Sequence, residues 1–226
     1  MIKLALFDID GTLIVDGSFK GRFAYAIEKV FGVKVMPGAV VPTGITEPAT
    51  AMHMAMPSGI TEEQFKKRIG DVAAAQIEFV RANMATEKIT LRPGIRELLT
   101  ELKNRGVKLG LVTGGSTDIA RIKLEMAGIY AMFDLGAFGD KMVTRKELIL
   151  EVLSDFRKRF DSEIAATEIM YFGDTPYDVE GAHAAGLRII ATGTDRHPAS
   201  ELAKLGADFP VDDLSDNQAV LKILEQ

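Results

Sequence analysis

The stretch Leu4-Ala5-Leu6-Phe7-Asp8-Ile9-Asp10-Gly11-Thr12-Leu13 constrains this chain more than any other. The apolar run from Ile2 to Ile9 is short and rich in aliphatic and aromatic residues. That pattern predicts a strand buried in a parallel sheet rather than a helix. In extended chain, side chains alternate between faces, so Asp8 and Asp10 share one face. Two carboxylates at a strand's buried end repel each other, and a cation relieves that cost. Gly11 permits a sharp turn just beyond them. Carboxylate oxygens in such a place suit a hard cation such as Mg²⁺. A plain acidic turn is the alternative, because Asp and Gly are ordinary turn residues. This stretch alone leaves both readings open.

At 226 residues, the chain has room for one large domain or a domain carrying an inserted subdomain. Hydrophobic residues make up 47% and charged residues 26%, the balance of a soluble globular protein. A net charge of −5 and the lack of a Lys/Arg cluster argue against a nucleic-acid partner. No apolar run reaches bilayer length, and Asp8 and Asp10 interrupt what would otherwise resemble an export signal. The expectation is therefore no membrane and a cytoplasmic location. The absence of cysteine removes disulfides and thiolate metal sites.

Beyond a turn at residues 14–18, Phe19 to Phe31 has helical spacing and stops at Gly32. Glu47 to Met56 predicts a short helix. A longer one starts at Thr61, with Gln64 three residues on, and runs to about Ala85. Met52, Met54 and Met56 are expected in the core, His53 in a structural place, and Lys20 and Arg22 facing solvent. From residue 89 the pattern changes. Short apolar runs at 107–112, 133–138, 168–172, 187–191 and 208–211 predict strands. Helices are expected from Pro93 to about Arg105, 117–127, 144–160, 178–185 and about 215–224. Alternating strands and helices mean a parallel sheet with right-handed crossovers. Ligands in such sheets bind at the strands' C-terminal ends. The most polar strand ends are Asp8/Asp10, Thr113 and Asp174/Asp178, and the fold would bring them together.

These residues carry a resemblance. Asp8-Ile9-Asp10-Gly11-Thr12-Leu13 resembles the first motif of the haloacid dehalogenase superfamily. Thr113, ending Leu109-Gly110-Leu111-Val112, resembles the second, and Gly173-Asp174-Thr175-Pro176-Tyr177-Asp178 the fourth. The resemblance implies an α/β fold: a Rossmann-like doubly wound parallel sheet at residues 1–15 and 89–226, with an inserted all-helical cap at 16–88. The third motif is a basic residue, usually lysine. Its place at the start of the 144–160 helix puts Arg145 first, then Lys146, then Lys141.

The resemblance also implies a chemistry. Asp8 would be the nucleophile, forming an aspartyl-phosphate. Asp10 would be the acid and then the base. Mg²⁺ would be held by Asp8, the Ile9 or Asp10 carbonyl and Asp174, with Asp178 supporting. Thr113, Gly114 and Gly115 would bind the phosphoryl oxygens. Arg145 or Lys146 would supply the remaining positive charge. Aspartate at position 10 favours phosphate esters over the dehalogenase and phosphonate-cleaving branches. The expected reaction is hydrolysis of a small phosphorylated metabolite. A phosphosugar mutase of the same fold and a non-catalytic binding module are the alternatives. Val41-Pro42-Thr43-Gly44-Ile45-Thr46-Glu47 resembles the family's cap loop, with Ile45 where relatives often carry a basic residue and Glu47 where they carry aspartate. A substrate with a second anionic group at this loop is therefore disfavoured. Asp16 and Asp140 could line the entrance; His183 and His197 receive no role.

Overall fold

The computed structural model describes residues 2–15, 18–35, 41–42, 44–160 and 163–226. The strands are β1 (Leu4–Phe7), β2 (Lys108–Thr113), β3 (Leu135–Phe138), β4 (Ile169–Gly173), β5 (Arg188–Thr192) and β6 (Phe209–Val211). They form one parallel sheet in the order β3-β2-β1-β4-β5-β6. β1 sits centrally, with Leu4 opposite Lys108 on one side and Ile169 on the other. Its alternating side chains feed two cores. Ala5 and Phe7 enter one, and Leu4 and Leu6 the other, which is why the strand reads as an unbroken apolar run.

Among the described residues, four α-helices follow β1 before residue 89: α1 (Arg22–Phe31), α2 (Glu47–Ala55), α3 (Glu62–Lys67) and α4 (Ile69–Asn83). They bury a core of their own, built on Ala26, Ile27, Ala51, Phe65 and Val72. The chain segments that lead into and out of them run side by side. Val15 N–H donates to Thr90 O at 2.9 Å and Arg92 N–H to Leu13 O at 3.0 Å. The remaining α-helices among the described residues are α5 (Ile95–Asn104), α6 (Thr117–Met126), α7 (Arg145–Phe160), α8 (Pro176–Ala184), α9 (Ala199–Lys204) and α10 (Asn217–Leu224). α5, α6 and α10 cover the Phe7 face; α7, α8 and α9 cover the Leu6 face. Among the described residues no helix is long and apolar enough to cross a membrane.

Several expectations need correction. The helix expected from Thr61 to about Ala85 breaks at Arg68, whose φ of −118° and ψ of 12° leave the helical region. Gly70, a poor helix former, follows the break. The 178–185 helix begins earlier, because Thr175 is the N-cap and Pro176 takes the first turn. α9 was not foreseen. Met52 and Met54 pack on the helical core, but Met56 is exposed. His53 is exposed as well. Asp16 and Thr43 lie outside the described residues. Asp140 caps α6, accepting from Thr117 N at 3.0 Å.

Candidate active site

The strand order reverses beside β1, where β2 leaves to one side and β4 lies on the other, so a crevice opens at their C-terminal ends. Asp8 follows β1 directly. Its N–H donates to Phe172 O at 2.9 Å, which keeps it in register with β4. Gly11 then turns with φ +89°, and a Cβ there would collide with the Asp174 carboxylate. Glycine is thus required at this position for both conformation and room. Asp8, Asp174 and Asp178 are buried and bring one oxygen each within 4.8 Å of the others. Thr12 Oγ1 donates to Asp174 Oδ1 at 2.9 Å. Asp178 is bonded on both oxygens. Tyr171 O–H donates to Oδ1 at 2.8 Å, while Thr175 N–H (3.0 Å) and Oγ1 (2.7 Å) donate to Oδ2.

Arg145 is the first residue of α7, and it is buried. Its Nη1 lies 3.1 Å from Asp8 Oδ1 and also donates to Val112 O at 3.1 Å. Nη2 donates to Gly44 O at 3.2 Å. Nε lies 3.0 Å from Asp178 Oδ1, an ion pair by distance without an aligned hydrogen bond. Lys146 and Lys141, the other candidates for the third motif, are both exposed, and neither lines the chamber that holds Asp8. Helical phase decides this: Arg145 shares the inward stripe of Leu148, Ile149 and Val152, and Lys146 does not.

Thr113, Gly114 and Gly115 line the same chamber, of about 1430 Å³. Gly115 N–H donates to Thr113 Oγ1 at 3.1 Å. The Gly44–Glu47 loop is docked on this corner, with Glu47 N–H donating to Gly114 O at 2.8 Å. Glu47 Oε2 accepts from Ser116 N at 3.1 Å, and Oε1 pairs with Arg22 Nη2 at 3.0 Å. Arg22 therefore does not face solvent as its place early in α1 suggested; its side chain is 13% exposed. The Asp10 side chain stands outside the carboxylate cluster. Lys123 Nζ, from α6, donates to its Oδ1 at 2.8 Å and Oδ2 at 2.7 Å. Sequence reasoning passed over Lys123, although it sits on the inward stripe with Ile119, Ala120 and Leu124, an unusual place for a lysine.

Burial pushes the Asp8 carboxyl up to about 8, with Arg145 opposing and the charges of Asp178 and Asp10 adding to the rise. Asp10 is also raised by burial, but the charge and hydrogen bonds of Lys123 and the charge of Arg22 outweigh this and hold it below its ordinary value. The sign for stability follows. Between about pH 4 and pH 8 the folded metal-free protein keeps a proton on Asp8 that the unfolded chain has lost. Stability therefore falls as pH rises through that window, by at most about 1.4 kcal/mol per pH unit. Asp10 acts in the opposite sense, and only as pH falls below about 4. Melting curves in chelator should give a lower Tm at pH 7.5 than at pH 5, and Asp8→Asn should flatten the difference. Equal slopes in both proteins would assign the effect elsewhere.

Comparison with known proteins bears on this geometry. The model of the haloacid dehalogenase-like hydrolases matches residues 5–192. The chain belongs to that family. A Chromobacterium violaceum protein named phosphoglycolate phosphatase is 26% identical, covering 98% of this chain and 97% of its own. A Streptomyces hygroscopicus subsp. limoneus protein named validoxylamine A 7'-phosphate phosphatase is 29% identical, covering 96% of each. The crystal structure of CbbY from Rhodobacter sphaeroides in complex with phosphate shares the fold. Its TM-score is 0.70 at 22% identity, with 96% of each chain covered. The chain is thus an enzyme of a hydrolase family, and phosphatase names dominate among its relatives.

Proposed function

We propose that this enzyme hydrolyses small phosphomonoesters through a phosphoryl group carried on Asp8. The observation that carries the reading is a buried Asp8 facing the chamber, 3.1 Å from a buried guanidinium and clustered with two further buried aspartates. With all three carboxyls ionised, one arginine leaves buried negative charge in excess, which in the metal-free protein keeps a proton on Asp8, so the donor set fits a divalent cation made for oxygen ligands. Asp8 and Asp174 would hold Mg²⁺, with Asp178 fixing the loop behind them. When bound, the ion supplies positive charge against the repulsion between nucleophile and phosphate.

The protein's own groups carry the steps. Asp10, ionised beside Lys123 in the free protein, takes up a proton from solvent when the phosphate dianion enters; Asp8 then attacks phosphorus and the ester oxygen leaves with that proton. Asp10, now a carboxylate, takes a proton from the water that attacks the phosphoryl group, and phosphate and free Asp8 result. Thr113 and the Gly114–Gly115 backbone line the pocket where the phosphoryl oxygens would lie, and Arg145 balances their charge. The four helices at residues 16–88 act as a cap over this site. Among the described residues, the charged side chains of these helices that line the chamber are Arg22 and Glu47, which pair with each other, and position 45 is isoleucine. That supports a leaving group without a second anion, such as a sugar or polyol, over phosphoglycolate.

The test is phosphate release from p-nitrophenyl phosphate and a panel of sugar, polyol and carboxylate phosphates, with Mg²⁺ and with chelator. Turnover is expected to need the metal and to favour neutral leaving groups. Turnover unaffected by chelation would refute the metal requirement. An isomerised sugar phosphate in place of free phosphate would identify a mutase.

A further inference from the structure

Lys123 has no part in the steps above, yet its surroundings are those of the site. It sits on α6, and its side chain is 3% exposed. Its Nζ grips both oxygens of Asp10, at 2.8 and 2.7 Å. A lysine buried there must give up its hydration, and an apolar residue of similar length would pack beside Ile119 and Leu124 without that cost. Packing therefore does not account for it. Other buried or part-buried cations lining the chamber are committed elsewhere: Arg145 to Asp8 and Asp178, Arg22 to Glu47, and Arg92 to the Gly193 carbonyl. Among the described residues, the hydrogen bonds to the Asp10 carboxylate come from Lys123 alone.

We propose that Lys123 is a positioning residue for Asp10. The inference rests on the phosphatase reading, in which Asp10 meets the leaving oxygen. Asp10 lies just before the Gly11 turn and faces the chamber, so its carboxylate has room to rotate. The two-point grip selects one orientation before substrate arrives. Such preorganisation acts on the rate of chemistry rather than on binding, and small misplacements of a reacting group cost about 100-fold. Its weight depends on the leaving group. An oxygen that leaves readily as an anion needs little help from a well-placed acid, and a more basic oxygen needs much.

The experiment compares wild type, Lys123→Met and Lys123→Arg on p-nitrophenyl phosphate and phenyl phosphate, with Tm measured alongside. In Lys123→Met, kcat should fall by about 100-fold on phenyl phosphate, and less on p-nitrophenyl phosphate, with KM little changed on either. Lys123→Arg should recover part of the loss, because it keeps a charged donor but places it differently. A defect of structure alone would lower both rates by one factor. Equal losses on the two esters, no loss, or a gain on phenyl phosphate would overturn the proposal. Should Lys123→Met fail to fold, the ratio of the two rates in Lys123→Arg decides, and a ratio equal to wild type overturns it. Asp8→Asn, run beside them, separates the two levels. If it retains turnover, the phosphatase reading falls and this inference with it. If it is inactive while the ratio in the Lys123 variants is unchanged, the inference alone falls.

Discussion

Asp8→Asn is expected to lose turnover by about 1000-fold or more, while melting at or above wild type in chelator at pH 8. Both halves follow from the same environment. Asparagine keeps the shape of the side chain but cannot attack phosphorus, so the step that divides the reaction in two is gone. The ionised carboxylate, meanwhile, is a burden on the metal-free fold. It is buried, and it faces the charges of Asp178 and Asp10, with Arg145 and the backbone N–H of Ile9 opposing them. Replacing it with a neutral group removes that repulsion. The measurements are phosphate release with Mg²⁺ and thermal melting without it. A variant that is inactive and also melts well below wild type would point to lost folding, and an active one would dismiss Asp8 as nucleophile. The expected pair, inactive and at least as stable, is the signature of a group kept for reaction at the expense of stability.

The sheet and its polar strand ends were legible because they are local. A strand buried on both faces writes itself as an apolar run, and Asp8, Thr113 and Asp174 stand at or just past the ends of such runs. What the sequence concealed depends on pairings across long separations. Arg22 meets Glu47 only after α1 and α2 fold against each other, and read alone it is a charged residue near a helix start. Lys123 and Asp10 are 113 residues apart. The single sequence sign of their pairing is a lysine on the inward stripe of α6, which is discounted when charged residues are taken for solvated ones. The choice between Arg145 and Lys146 was legible in principle. The spacing Arg145, Leu148, Ile149, Val152 places the arginine inward, a phase argument that position at the helix start does not contain. α9 is six residues long, too short to show a period.

Arg145→Met should be the most damaging single change in the cation set, in stability and in turnover together. The guanidinium joins four parts of the molecule: Asp8 after β1, Asp178 in the first turn of α8, the β2 carbonyl of Val112 and the carbonyl of Gly44 ahead of α2. Without it, Asp8 and Asp178 lose the cation that pairs with both among the described residues, and breaking a buried pair in this way costs about 3–5 kcal/mol. Two backbone carbonyls also lose their donor. Turnover should fall by at least 100-fold, because the charge opposite the phosphoryl oxygens disappears. Arg145→Lys separates the contributions. One ammonium can restore charge near Asp8, but it cannot span Val112 and Gly44 as a planar fork does. Stability should then return in part, and kcat more than the hold on the cap loop. Gly181→Ala offers a third test that leaves the charge in place. Its new Cβ would lie 2.5 Å from Arg145 Cγ, pushing the guanidinium off Asp8. If charge alone mattered, Gly181→Ala would be nearly as active as wild type. If the fork's placement matters, it should lose activity while Arg145 remains, and chemical denaturation with steady-state rates on the three variants distinguishes these outcomes.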